Sequence, residues 1–409
     1  MAEIWINNPF DNLPEEGAKP QRYSSLAAEL ARRGHSVTWW TADFSHQKKA
    51  RRQNSLGEIL PAAYVRGDGV KMRLVPTPPY ASNVSPARVL SHKAYARMWF
   101  ALSSQMVARG ELQKPDVILV SSPPLSTYPV AATIRKYCGC KIVLDLMDAW
   151  PDAFEGVLPL PAKLKRVAAK LLFAGARKTA RKAHLGADLV TGVSESYLNL
   201  ARKNGATVPM AAFRHSCAAL HPPASTASMP PLRLAYVGNM GPSYDLVTAV
   251  SAVKALVADG TALTFDLAGS GPGESVLREM ARGCDAIRFH GFLGAAELSA
   301  LLERSHAGLI PLLPSSAVAI PYKLPDYASH GLASVSCLDG ESAALIADYH
   351  AGLSYAPHDV ASLATVLKAL ADAPAKLPPL REGALRLAEE KFLASRIYPA
   401  FADIIEGVL

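Results

Sequence analysis

Short apolar runs alternate with longer stretches of helical periodicity, and this happens twice along the chain. No other feature constrains the fold as strongly. A strand that is followed by a helix and then by another strand returns parallel to the first, with the helix laid on the sheet. The first series begins with an apolar strand over residues 3–8 and a polar loop with Pro and Gly over 9–20. A helix over 21–33 follows, with Tyr23, Leu26, Ala27 and Leu30 on one face and Gly34 closing it. Further strands are expected at 37–42, 70–75, 117–120, 141–146 and 189–193, with helices over 87–108 and 125–137 and one opening at Ser194. The second series places strands at 233–237, 264–268, 287–290, 307–313 and 333–338. Its helices fall at 246–258 and 297–304, and a helical stretch from about residue 380 closes the chain.

The expected architecture is α/β, with two doubly wound parallel-sheet domains. An N-terminal domain covers residues 1–217, and a Pro-, Ala- and Ser-rich linker covers 218–232. A second domain covers 233–380, and a C-terminal helix, 381–409, packs back on the first domain. Ligands in such sheets bind beyond the carboxyl ends of the strands, so the expected site is a central cleft faced by both domains.

Composition narrows the function. The 409 residues suffice for two cores. No apolar run reaches the ~18 residues of a membrane span, and the first residues lack the basic and apolar regions of a signal peptide. The five cysteines are odd in number and match no zinc or disulfide framework, which points to reduced thiols and a cytoplasmic setting. The eleven histidines show no metal-ligand spacing, so no metal is assigned. Residues 1–205 carry 29 Lys and Arg against 16 Asp and Glu, and the remainder carries 14 against 19. A basic half of this kind faces an anionic partner. Residues 163–182 set Leu164, Val167, Ala168, Leu171 and Leu172 against Lys163, Arg166, Lys170, Arg177 and Arg181. With the basic run at 44–52, this fits either anionic lipid or a solvated helix whose stripe packs on the sheet. Neither run has interleaved aromatics or a binding motif, so nucleic acid is not expected.

Four stretches carry candidate chemistry. In residues 320–331, Pro321 suits a first helical turn. Lys323 and Asp326 share a face there, and Gly331 ends the helix. A cation at a helix start attracts phosphate, and a carboxylate one turn on can hold sugar hydroxyls. Gly238-Asn239-Met240-Gly241 and Gly269-Ser270-Gly271-Pro272 follow strands, where glycines serve either a phosphate ligand or ordinary tight turns. Neither is a dinucleotide fingerprint, which argues against a nicotinamide enzyme. Asp145, Asp148, Asp152 and Trp150 end a first-domain strand and suit either sugar binding or a polar loop. Gly192-Val193-Ser194-Glu195-Ser196 is similar to a nucleophile elbow but ends in Ser, and Ser194 reads better as a helix cap.

Taken in order, these segments resemble the GT-B retaining glycosyltransferases of family 4, in the bacterial branch that builds surface polysaccharides and glycolipids. The resemblance runs from residues 26–38 through Asp148-Ala149-Trp150-Pro151-Asp152, Val193-Ser194-Glu195-Ser196 and Tyr236-Val237-Gly238-Asn239. It continues through Leu267-Ala268-Gly269-Ser270-Gly271-Pro272, Phe289-His290-Gly291-Phe292 and residues 320–331, and ends at Gly352-Leu353 and Pro357-His358-Asp359. It implies that the second domain binds a nucleotide diphosphate-sugar, a UDP-sugar first and a GDP-sugar as the alternative. Asp326 would hold the ribose. Lys323, beside Pro321 and Tyr322, and the loops at Gly238, Asn239, Gly269, Gly271 and Pro272 would hold the diphosphate. Phe292 and Leu293 would lie near the base, Glu16 and Gly17 near the diphosphate and sugar, and Asp148 would face the acceptor or sugar. The catalytic set is then Lys323, Asp148 and Asp326.

Departures from the family pattern are Val318 at the first acidic position, Asn239 for an Arg, Tyr244 for a Lys, and Met147 for a His or Arg. The function implied is metal-independent transfer, with retention, to a glycan or polyprenyl-diphosphate-linked acceptor. The enzyme would be cytoplasmic and peripheral to the inner membrane face. The alternatives are a catalytically weak partner subunit that binds nucleotide or glycan, and a sugar-nucleotide epimerase.

Overall fold

The computed structural model describes residues 1–83, 85–155, 162–222, 229–313, 316 and 318–409. It divides into two compact units: Met1–Arg214 with Ile397–Leu409, and His215–Arg396.

The first unit runs β1 (Glu3–Asn7), α1 (Arg22–Arg32), β2 (Ser36–Ala42), a two-residue ribbon of β3 (Phe44–Ser45) and β4 (Ala50–Arg51), β5 (Ala63–Val65), β6 (Lys71–Val75) and α2 (Pro86–Ala108). It continues with β7 (Val117–Ser122), α3 (Thr127–Cys138), β8 (Lys141–Leu146), α4 (Ala162–Leu172), α5 (Ala174–Gly186), β9 (Leu189–Gly192), α6 (Glu195–Lys203) and β10 (Met210–Ala212). The sheet order is β10-β9-β8-β7-β1-β2-β6-β5, parallel except for the edge strand β5. β1 lies in the middle, and all five of its residues are buried. Strands covered on both faces are apolar over most of their length, as Ile4, Trp5 and Ile6 of β1 and residues 117–120 of β7 are. α1 buries the stripe read from its sequence, Tyr23, Leu26, Ala27 and Leu30. Ser194 caps α6 by accepting from the Tyr197 amide, the capping role expected of it. The basic stretch at 163–182 is two helices rather than one, broken at Phe173.

The second unit runs β11 (Leu232–Val237), α7 (Leu246–Ala258), β12 (Leu263–Ala268), α8 (Glu274–Ala281), β13 (Ile287–Gly291), α9 (Ala295–Glu303) and β14 (Ala307–Ile310). It continues with α10 (Lys323–Ser329), β15 (Ala333–Ser336), α11 (Gly340–Asp348), β16 (Gly352–Ser354), α12 (Val360–Asp372), α13 (Leu377–Lys391) and the start of α14 (Ala394–Glu406). Its sheet is fully parallel in the order β13-β12-β11-β14-β15-β16.

Part of the expected linker, residues 223–228, lies outside the described residues. The helix expected over 381–409 is two helices. α13 belongs to the second unit, and α14 from Ile397 onward belongs to the first. There, Arg33 bonds Asp403 at 2.6 Å and Glu406 at 2.8 Å, and Phe401 stacks on Phe213 with 4.3 Å between ring centroids.

Candidate functional site

In the second sheet the chain steps outward from β11 to β12 and β13, then returns to place β14 on the other side of β11. The order therefore reverses between β11 and β14, and a reversal leaves a crevice at the strand ends because the two following loops diverge. The loop after β11 is 238–245, and the chain after β14 leads into α10. Lys323, the first residue of α10, is buried. Its amine lies 4.0 Å from the centre of the Tyr244 ring and 4.9 Å from that of Tyr236. A Cβ built on Gly238 would come within 2.5 Å of the amine, so Gly238, at φ +136°, is the residue that leaves room for it.

Among the described residues the amine has no hydrogen-bond or ion-pair partner; two ring faces and Asp326 answer its charge. Burial pulls its pKa down from 10.5 to about 7, with Asp326 opposing. That displacement corresponds to a handicap of roughly 5 kcal/mol on the charged form. An arriving anion offsets the handicap, so the amine is primed for one.

The helix start differs from the expectation. Pro321 precedes the first turn and Tyr322 occupies the cap position. Seven residues sum few peptide dipoles, so anion affinity rests on the amine and on loop amides. Tyr322 is half exposed and stacks on His215 at 3.7 Å between ring centroids. Tyr327 anchors the helix from below: its hydroxyl accepts from the Val237 amide at 2.9 Å. Its ring lies where a Cβ on Gly308 would be 2.3 Å away. Gly331, at φ +61°, ends the turn as expected.

The glycine loops answer to each other. A Cβ on Gly269 would stand 2.1 Å from the Gly238 carbonyl oxygen, and one on Gly271 would stand 2.6 Å from the Met240 nitrogen. The Gly238 amide donates to Ala268, Met240 to Ser270 and Gly273 to Met240, each at 2.9 Å. The glycines are thus required by loop-on-loop packing. The Asn239 and Gly271 amides make no hydrogen bond among the described residues, which leaves two donors at the strand ends. Pro272 and Asn239 are exposed, as is Phe292 at 89%; Leu293 is half-buried beside it. Val318, at the family's first acidic position, is exposed.

In the first unit, the candidate carboxylates mostly have structural partners. Glu16 is buried, bonds Arg52 at 2.6 Å and accepts from the Leu13 amide at 2.8 Å. The Gly17 amide donates to Pro14 at 2.9 Å. The pair expected near the diphosphate therefore anchors its own loop. Asp145, expected among three carboxylates that hold sugar, is fully buried. It accepts from Nε and Nη2 of Arg22, each at 2.7 Å, from the Tyr23 hydroxyl at 2.6 Å and from the Thr191 hydroxyl at 2.7 Å. Asp152 pairs with Arg177 at 2.8 Å. Asp148 is half-buried beyond the strand end, accepting from the Ala149 amide at 2.7 Å. Burial raises its pKa against the pull of that amide and of Arg88. Trp150 lies 6.4 Å from His92, ring centre to ring centre.

Sequence reasoning missed Tyr236, Tyr244 and Tyr327 as parts of the Lys323 setting. Their signal was position alone: two flank the first glycine loop, and one sits a helical turn beyond the lysine.

Residues 20–214 match the family model described as Glycosyl transferase 4-like domain, and residues 231–373 match Glycosyl transferases group 1. Glycogen synthase of Mycobacterium tuberculosis is 31% identical over 150 residues, 36% of this chain and 35% of that protein. The match therefore spans about a third of the curated relative's length. Sucrose-phosphate synthase from Thermosynechococcus elongatus superposes with a TM-score of 0.73 at 13% identity, over 100% of this chain and 99% of that one. Anabaena HepE in complex with UDP-glucose superposes with a TM-score of 0.65 at 13% identity, over the whole of both chains. WaaG, described as a glycosyltransferase involved in lipopolysaccharide biosynthesis, gives 0.61 at 13% identity, over 99% of this chain and 100% of that one. The chain is thus a glycosyltransferase 4-like domain followed by a glycosyltransferase group 1 domain on the GT-B fold.

Proposed function

We propose that the protein is a retaining glycosyltransferase that takes its sugar from a nucleotide diphosphate donor. A UDP-sugar is the preferred class, in keeping with the UDP-glucose held by HepE. The observation that carries the reading is the Lys323 amine, desolvated at the switch point of the second sheet and without a counter-ion bond among the described residues. As the anomeric bond breaks, charge grows on the departing phosphate oxygen. A buried amine and the Asn239 and Gly271 amides stabilise that charge more than they stabilise the ground state. Asp326, one turn on, holds ribose hydroxyls, and the exposed Phe292 offers a face to the base. The acceptor hydroxyl attacks from the leaving-group side and gives its proton to the departing phosphate, so the chemical step uses no metal. Asp148 and Trp150 of the first unit receive the acceptor sugar.

The acceptor is lipid-linked in this reading, whether a glycan or a polyprenyl diphosphate, and the enzyme works at the cytoplasmic face of an anionic membrane. On α4, Leu164, Val167, Leu171 and Leu172 are 59 to 77% exposed, so the stripe does not pack on the sheet. Lys170, Arg181 and Lys182 are exposed along α4 and α5; the side chains of Lys163 and Arg166 lie outside the described residues. Apolar residues beside cations suit an anionic bilayer surface. No described helix is long and apolar enough to cross a membrane.

The test is incubation with UDP- and GDP-sugars, reading melting temperature, nucleotide release and the anomer formed. A donor that raises the melting point and yields an α-linked product from an α-donor supports the reading; inversion overturns the stereochemistry. Neutral residues at Val318, Asn239 and Tyr244 favour a second reading, a subunit that binds nucleotide without turnover. Binding without release of nucleotide from any donor selects it.

A further inference from the structure

Three residues distant in sequence meet at the end of α10 opposite Lys323. His221 comes from the second unit's segment ahead of β11, Glu303 ends α9, and His330 follows the last turn of α10. One ligating atom from each lies within 4.8 Å of the others.

The setting of His330 fixes its tautomer. Its Nδ1 is 2.8 Å from the Asp326 carbonyl, which only accepts, so Nδ1 carries the proton and Nε2 holds a lone pair. The neighbour of Nε2 is the Ser299 hydroxyl at 3.2 Å. That hydroxyl has one proton for two acceptors, Nε2 and the Glu303 carboxylate 2.9 Å away. The Nε2 lone pair of the buried His330 therefore has at most a shared donor. A histidine whose far nitrogen is tied to a carbonyl while the near one offers a lone pair is arranged as a metal ligand. His221 is pinned through its backbone, its amide donating to the Ser329 carbonyl at 2.7 Å. Its exposed ring stacks on His330, with 4.6 Å between centroids and 15° between planes.

We propose that His221, Glu303 and His330 form a binding site for a zinc-like divalent ion, with water completing the coordination. Two imidazoles disfavour magnesium and calcium, and the absence of a thiolate disfavours copper(I). Bonds of about 2.1 Å in a tetrahedron set ligand atoms about 3.4 Å apart, so no pair of the three has to close in by more than about 1.4 Å. Parallel rings cannot aim both lone pairs at one point. The exposed His221 ring turns about its side-chain torsions while His330 stays in place. The ion ties the end of α10 to α9 and to the entering segment. Because α10 carries Lys323 and Asp326, the ion braces the helix that holds both, and takes no part in the chemical step.

The experiment uses the full-length chain, stripped with chelator and free of nucleotide. Zinc is titrated calorimetrically and cobalt(II) by visible absorption. The expected result is one ion per chain, a cobalt spectrum of a four-coordinate nitrogen and oxygen site, and a raised melting temperature. His221→Ala truncates an exposed side chain and Glu303→Gln neutralises one, so both variants fold. Each weakens zinc binding by at least about 10-fold and abolishes the melting shift. His330→Ala does the same. Binding that survives both exposed-residue variants, magnesium binding as tight as zinc, or no one-to-one binding overturns the proposal.

Discussion

The two sheets reverse strand order in the same manner, yet the charges at their strand ends are handled in opposite ways. In the first unit, Arg22 is locked to Asp145 and Arg52 to Glu16, both pairs out of solvent. Each is a hydrogen-bonded pair whose desolvation is offset inside the protein. In the second unit, Lys323 is buried against two ring faces with no carboxylate bonded to it among the described residues. A paired charge holds a loop in place, whereas an amine without a bonded anion is held ready for one. The first arrangement is scaffold and the second is grip, even though both put a cation at the end of a parallel sheet.

Breaking the first arrangement gives the largest effect. Asp145→Ala leaves the Arg22 cation buried and the Tyr23 and Thr191 hydroxyls without their acceptor, so stability falls by about 3–5 kcal/mol. Urea or thermal unfolding of the full chain measures it. A loss below about 1 kcal/mol ends the scaffold assignment.

Lys323→Ala is expected to act on rate instead. Transfer falls by about 10²–10³ in kcat. The melting temperature holds or rises, because a desolvated cation has been removed. A stability loss with unchanged turnover reverses the contrast between the units. Gly269→Ala comes next. The new Cβ meets the Gly238 carbonyl at 2.1 Å and the position sits at φ +122°, so destabilisation of about 2 kcal/mol accompanies weaker donor binding. Gly260→Ala, also at positive φ but with nothing within 4 Å, is the control for backbone strain alone.

Much of this frame was legible in the chain. β8 and α7 fall on the residues expected of them, because continuous apolar runs and a capping Asp245 leave little choice. β14 stops at Ile310, short of the expected 313, as the backbone turns at Pro311 to accept from the Asp245 amide. α12 went unread although Leu363, Leu367 and Leu370 repeat at helical spacing behind an Asp359 cap. Lys323 and Asp326 were legible as a helical pair, but the lysine's setting was not. Residues 236, 244 and 323 come together only when β11 and β14 lie side by side. Nor does sequence separate Asp145, which is spent on Arg22, from Asp148, which is not. Both are acids at the end of one strand, and only the position of α1 tells them apart.

The smallest expected effect is also the sharpest on the contrast, and it compares one buried group of each unit that is displaced toward neutrality. Asp11 is pushed up from 3.8 to about 6, mainly by burial, and Lys323 is drawn down to about 7 for the same reason. For Asp11, the folded state binds the proton more tightly than the unfolded one. Its stabilising share is full below pH 3.8, falls as pH rises to about 6, and is flat above. For Lys323, the folded state binds the proton less tightly, so its share grows from about pH 7 to 10.5 and is lost as pH falls back through 7. Asp11→Asn should erase the first slope, Lys323→Met the second, and neither the other's, read as the melting difference from wild type across pH. Binding separates the two groups further. A pyrophosphate needs the amine charged, so below about pH 7 nucleoside diphosphate affinity loses nothing to deprotonation of the amine. Above it, binding must take up a proton, and affinity falls by up to about 10-fold per pH unit. Calorimetry in buffers of different ionisation enthalpy counts that proton. Uptake at pH 8 in wild type and none in Lys323→Met places the grip on the amine; uptake unchanged in Lys323→Met but lost in Asp11→Asn moves it to the first unit and undoes the division of labour.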